Sequence, residues 1–149
     1  MSNPAVSDEE ELYRRIRNLQ GYYVVENGKC SHISSQAFSD RGQRISVNRA
    51  DLCDKNPSRV QNEDDDAVVS ILTEIVRVIE LSGEGENKKT FLYKIDVEPK
   101  PLQDNPAHAE IFATPDYATK STFRRLCEKL SRLYDEGKML LLIPPVEIR

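Results

Sequence analysis

Two histidines are the residues best suited to chemistry in this chain: His32 in Cys30-Ser31-His32-Ile33-Ser34-Ser35, and His108 in Asn105-Pro106-Ala107-His108-Ala109-Glu110. Imidazole titrates near neutral pH without help from its surroundings, so proton transfer at pH 7 points first to these two positions. Acting together they would serve as base and acid on a phosphodiester or nucleotide, with Ser34, Arg49 and Glu110 positioning the substrate.

His32-Ile33-Ser34 resembles one half of the two-histidine phosphoesterases, whose paired H-x-[ST] motifs present two imidazoles to one phosphate from neighbouring strands. At the other position, His108-Ala109-Glu110 carries glutamate where that motif has a hydroxyl. Zinc could draw on Cys30 and His32 with Cys53 or His108, but structural zinc sites come with a close second ligand pair that this sequence lacks, so no metal and no cofactor are expected. A Ser–His or Cys–His nucleophile would have to arise without G-x-S-x-G or any other local signature of those classes. The glycine-rich phosphate-binding patterns are absent as well.

These residues need elements to position them. Ser7-Asp8-Glu9-Glu10 reads as a capping box, and Leu12, Ile16 and Leu19 with Tyr13 form an apolar face, so a helix is predicted from there to Gly21. Tyr22 to Glu26 and Lys29 to Ile33 are expected to pair as a hairpin about Asn27-Gly28, whose positive φ angles suit a type I′ turn; His32 then lies at a strand end. Ser39 to Gly42 is a turn and Ile45 to Val47 a short strand. Residues 48–66, polar and ending in Glu63-Asp64-Asp65-Asp66, read as an exposed mobile insertion, and 82–89 as a flexible connector. Ala67 to Leu72 suggests a buried strand, followed by a short helix. Thr90 to Val97 alternates as a strand, and so does His108 to Ala113, with His108, Glu110 and Phe112 on one face. Phe123, Leu126, Cys127, Leu130 and Leu133 recur at helical spacing behind a Ser121 or Thr122 cap, and Gly137 stops the helix. Met139 to Ile143 closes the pattern as a strand apolar on both sides.

The 149 residues fit one domain spanning 1–149, of the α+β class: a small mixed or antiparallel sheet, with an N-terminal helix and a late amphipathic helix packed on one face. A net charge of -4 disfavours non-specific nucleic-acid or membrane binding, although Arg14, Arg15 and Arg17, or Arg124, Arg125, Lys129 and Arg132, could form a local basic face. Three cysteines without a C-x-x-C pair, and no apolar leader, indicate a reducing cytoplasmic setting. Cys127 falls on the buried helical stripe, whereas Cys53 in the insertion is expected to be accessible.

The segments Leu12-Tyr13-Arg14-Arg15-Ile16, Ser35-Gln36-Ala37-Phe38, Ile45-Ser46-Val47-Asn48-Arg49 and Asn105-Pro106-Ala107-His108-Ala109 resemble a group of short uncharacterised bacterial proteins. The resemblance covers about half the chain and implies a bacterial accessory gene of the defence or mobile-element kind, with no activity attached. Together these observations favour a cytoplasmic protein-interaction module working with a protein partner inside a larger assembly, its contact surface on helix faces or the Pro-rich segment Glu98 to Pro106. The alternative is the histidine-dependent enzyme.

Overall fold

The computed structural model describes residues 5–84, 90–115 and 119–146. Its centre is a seven-stranded antiparallel sheet curled into a half-barrel, which corrects the expected small sheet flanked by two helices. The strands are β1 (Glu11–Ile16), β4 (Ile45–Arg49), β5 (Ala67–Leu72), β6 (Leu81–Glu84), β7 (Thr90–Pro99), β8 (His108–Thr114) and β9 (Met139–Ile143), in the order β6-β7-β8-β4-β1-β5-β9. A separate hairpin pairs β2 (Tyr23–Glu26) with β3 (Lys29–Ile33) through Asn27 and Gly28, both at positive φ, as expected for a type I′ turn. The helices are a single turn, α1 (Thr73–Arg77), and the longer α2 (Lys120–Asp135).

The predicted N-terminal helix is a central strand instead. The Ser7 to Glu10 bond of a capping box does form, with Ser7 N–H donating to Glu10 Oε2 at 2.7 Å, but it closes a turn and the chain then enters β1. Leu12 and Ile16 are four residues apart, an interval that returns to the same face of a helix and of a strand alike. Burial decides between them. Leu12 and Ile16 pack on the helix side of the sheet and Tyr13 on the opposite side, so β1, which lies between β4 and β5, is also covered on both faces.

On the helix side, Leu126, Cys127 and Leu130 of α2 meet Ile45, Val47, Ile71, Ile95 and Ile111 in the main core, so the helical stripe expected from the sequence is the buried one. The cap of α2 is Thr119 rather than Ser121 or Thr122, its side chain accepting the Thr122 N–H. A Cβ at Gly83 on β6 would lie 2.8 Å from Thr122 Oγ1, so glycine there permits the start of α2 to approach that edge of the sheet.

The opposite face carries a smaller core of Tyr13, Ala50, Cys53, Val60, Val68 and Ala107. Residues 48–66 cover it, most side chains from 51 to 65 being exposed as expected, while Cys53, Val60 and Asp66 turn inward. Asn48 and Arg49 belong to β4, 3-10 turns follow at Ala50–Cys53 and Pro57–Val60, and Asp66, 2% exposed, accepts the N–H groups of Asn62 and Glu63 and the Arg15 guanidinium. Cys53 is therefore buried, contrary to expectation, and burial raises its thiol pKa; Cys127 is buried too, pushed up to about 12. Val6 is likewise buried, in the main core.

The strand followed by a short helix at 67–77 is found as β5 and α1. Strand β9 is apolar on both sides as expected, but it lies at an edge of the sheet and Leu140 and Leu142 on one of its faces are exposed. Of the predicted connector, 82–84 belongs to β6, while 85–89 lies outside the described residues. No helix among the described residues is long and apolar enough to cross a membrane.

Candidate functional site at Ser46 and His108

The five residues expected to form a site divide by their neighbours. His32 projects from β3 toward the end of α2, with Nδ1 3.5 Å from Asp135 Oδ1, and about half of each side chain is in solvent. Ser34 braces the hairpin, its Oγ donating to Gly21 O and its N–H to Tyr22 O. Arg49 is buried and forms a two-pronged pair with Glu10, both contacts at 2.8 Å, which ties β4 to the turn before β1. Glu110 accepts from Arg44 Nε at 2.6 Å; Arg44 also pairs with Glu98 and lies over the Phe112 ring. His32 and His108 share no partner among the described residues, and neither lines any of five surface clefts.

His108 has the most directed surroundings. Its Nδ1 is 2.8 Å from Lys100 O, and its Nε2 is 3.1 Å from Ser46 Oγ. A carbonyl oxygen can only accept, so the first contact places a proton on Nδ1. In the neutral ring Nε2 then carries the lone pair and accepts the Ser46 hydroxyl, which is the tautomer a general base needs. The register explains the proximity. Asn48 pairs with His108 and Ser46 with Glu110 across β4 and β8, so all four side chains share the face opposite α2, and Ser46 and His108 are diagonal neighbours on it.

Ser46 is held as firmly as its partner. Strand β1 pairs with β5 along its whole length but with β4 only at Leu12–Arg49 and Tyr13–Asn48, so the two strands part before Ser46. In the gap an ion pair substitutes for the missing ladder. Arg14 Nη1 donates to Asp40 Oδ2 at 2.7 Å and to Ser46 O at 2.8 Å, Nη2 donates to Asp40 Oδ1 and Ala37 O, and Ser46 N–H donates to Asp40 Oδ2 at 2.9 Å. Both peptide groups of Ser46 are thus clamped by one partly buried pair.

The same parting of strands opens a cleft of about 280 Å³, where Ser46 and Asn48 face Arg14, Arg15, Arg17 and Tyr22. Arg14 is neutralised by Asp40, and Arg15 is shared with Asp66 at 3.3 Å. Arg17 is exposed and forms no ion pair among the described residues. Asn48 Oδ1 accepts from Asn105 Nδ2 at 2.7 Å, which leaves the Asn48 amide hydrogens to donate elsewhere. A larger cleft of about 640 Å³ lies beyond Asp40, with Phe123 and Cys127 as its floor and Arg41, Lys120 and Arg124 around it. It holds no group able to take up a proton near neutral pH: the Cys127 thiol stays protonated and the Asp40 carboxylate is committed to Arg14.

Comparison with protein-family models, with curated proteins and with solved structures gives no match. Among the described residues no cluster of three or more His, Cys, Asp or Glu side chains could hold a metal ion.

Sequence reasoning found His108 and its strand face but missed Ser46, Arg14 and Asp40. Their signal is in tertiary contacts alone: Ser46 is 62 residues from His108, and Asp40 is 26 from Arg14.

Proposed function

We propose that the chain is a histidine-dependent enzyme acting on a phosphodiester or nucleotide, with His108 as its proton-transfer residue. The observation behind this reading is the line of contacts from Lys100 O through the His108 ring to Ser46 Oγ, which leaves Nε2 basic beside an arginine-lined cleft. His32 plays no part in it: its ion-pair partner among the described residues is Asp135, at the end of α2, outside that line of contacts. The test is turnover of bis(p-nitrophenyl) phosphate and a panel of dinucleotides near pH 7. His108→Gln is expected to lower kcat/KM by roughly 10²- to 10⁴-fold, the usual contribution of a positioned acid or base, and His32→Gln to leave it unchanged. Equal turnover by wild type and His108→Gln would overturn the reading, as would a wild type inert to the whole panel.

A second reading, the protein-interaction module favoured on sequence grounds, is supported by strand β9. Its sequence Met139-Leu140-Leu141-Leu142-Ile143 has no charge, its outer side has no strand partner among the described residues, and Leu140 is 58% exposed, as are Leu72 and Leu142 in part. Charged side chains usually guard such edges, and an unguarded one suits a partner that adds a strand. In this reading the chain is an accessory of a bacterial defence or mobile-element assembly in the cytoplasm, where its unbridged thiols stay reduced. A photocrosslinker placed at position 140 in the native host should capture one defined protein that the same group at exposed position 24 does not. Identical capture at both positions would count against it.

A further inference from the structure

We propose that Ser46 is a nucleophile activated by His108, and that the cleft beside it receives the phosphate of a phosphodiester. The proposal deepens the enzyme reading above and rests on it. A hydroxyl becomes nucleophilic when an adjacent base can take its proton and a third group orients that base. Here Nε2 of His108 is 3.1 Å from Ser46 Oγ, and the Lys100 carbonyl orients the ring at 2.8 Å. An ordinary strand residue would have its peptide groups in the ladder. At Ser46 they are held by Arg14 and Asp40 instead, because β1 has turned away, and this departure from regular pairing leaves Ser46 at the wall of a cleft.

The cations decide the substrate class. An uncharged acyl ester needs donors for a developing oxyanion and gains little from guanidinium groups, whereas a phosphodiester brings a negative charge to the reacting centre itself. Arg17, exposed and unpaired among the described residues, and Arg15, only partly neutralised by Asp66, line the cleft that Ser46 enters, and the free Asn48 amide adds an uncharged donor. A volume of about 280 Å³ suits the phosphate with one substituent, the other extending into solvent.

The reaction balances with water as the second substrate. Ser46 Oγ attacks phosphorus as its proton passes to His108 Nε2; the Oγ–P bond forms, the P–O bond to the first alcohol breaks, and that alcohol leaves with the proton from Nε2. Water then attacks the phosphoryl-serine, giving its proton to Nε2. The Oγ–P bond breaks, Oγ recovers a proton, and a phosphomonoester departs.

Diisopropyl fluorophosphate tests the nucleophile without depending on turnover, since attack by Oγ displaces fluoride and leaves a stable phosphoryl-serine. Intact-mass and peptide mapping of the wild-type protein should place one adduct on Ser46, and His108→Gln, shown folded by its circular dichroism melt, should label at least about tenfold more slowly. In a parallel assay with bis(p-nitrophenyl) phosphate, Arg17→Ala should raise KM about tenfold with a smaller change in kcat. An absent adduct on Ser46, or equal labelling of His108→Gln, would overturn the proposal. Turnover that Ser46→Ala retains and His108→Gln loses would also overturn it, while leaving the enzyme reading standing. Equal KM in Arg17→Ala would remove the phosphodiester assignment.

Discussion

At Asp40, burial pushes the carboxyl pKa up, but the hydrogen bonds and charge of Arg14, with the N–H of Ser46, outweigh it and hold the group below its ordinary value. The folded protein therefore favours the carboxylate. Its contribution to stability is fully present above the unfolded pKa of about 3.9 and is lost as pH falls through the lower folded value. Asp66 shifts in the same direction, its three donors overcoming burial, so both carboxylates should weaken the fold in the same acid window. Asp40→Asn leaves Arg14, with a side chain 10% exposed, without its counter-charge. The expected cost at pH 7 is about 3 kcal/mol, the low end for stripping one partner from a buried pair because Asp40 is itself 31% exposed. Urea denaturation at pH 7 and pH 3 checks this, and the variant should lose less stability than wild type between the two. At this scale the sequence was legible only in part. The alternation of His108 to Ala113 correctly places the imidazole on the solvent-side face of β8, yet nothing near Arg14 announces that its guanidinium will serve the peptide of Ser46.

Among the elements, α2 was the most readable, because five apolar residues at helical spacing leave one face to bury and a sheet is the surface available to bury it. Leu130 is fully buried in that contact, and Leu130→Ala should lower stability by roughly 2 to 5 kcal/mol in chemical denaturation. A change under about half a kcal/mol would mean that α2 does not close the main core. Strand β1 was misread for a physical reason. An interval of four residues satisfies both periods, and the charged Arg14 between Leu12 and Ile16 looks like a helix's outer face until its long-range partners are known. The polar composition of 48–66 correctly indicates a mostly exposed segment, but it does not reveal that Cys53, Val60 and Asp66 turn inward, with Asp66 gathering two backbone N–H groups and Arg15.

For the whole molecule, the two faces of the curled sheet divide the work. The helix side carries the main core, and the other side combines a smaller core with the polar row of Ser46, Asn48, His108 and Glu110. The gap between β1 and β4 joins them: it is where the two strands stop pairing, where the Arg14–Asp40 pair replaces the ladder, and where a cleft is lined by Ser46. Function on this account depends on one proton position. Long-range ¹H–¹⁵N correlation of the histidine rings, at a pH where His108 is neutral, reads that position directly. The expected spectrum shows Nδ1–H bonded toward Lys100 and an unprotonated Nε2 whose ¹⁵N shift moves on Ser46→Ala. A ring protonated at Nε2 could not accept the serine proton, and that result would contradict the proposed chemistry.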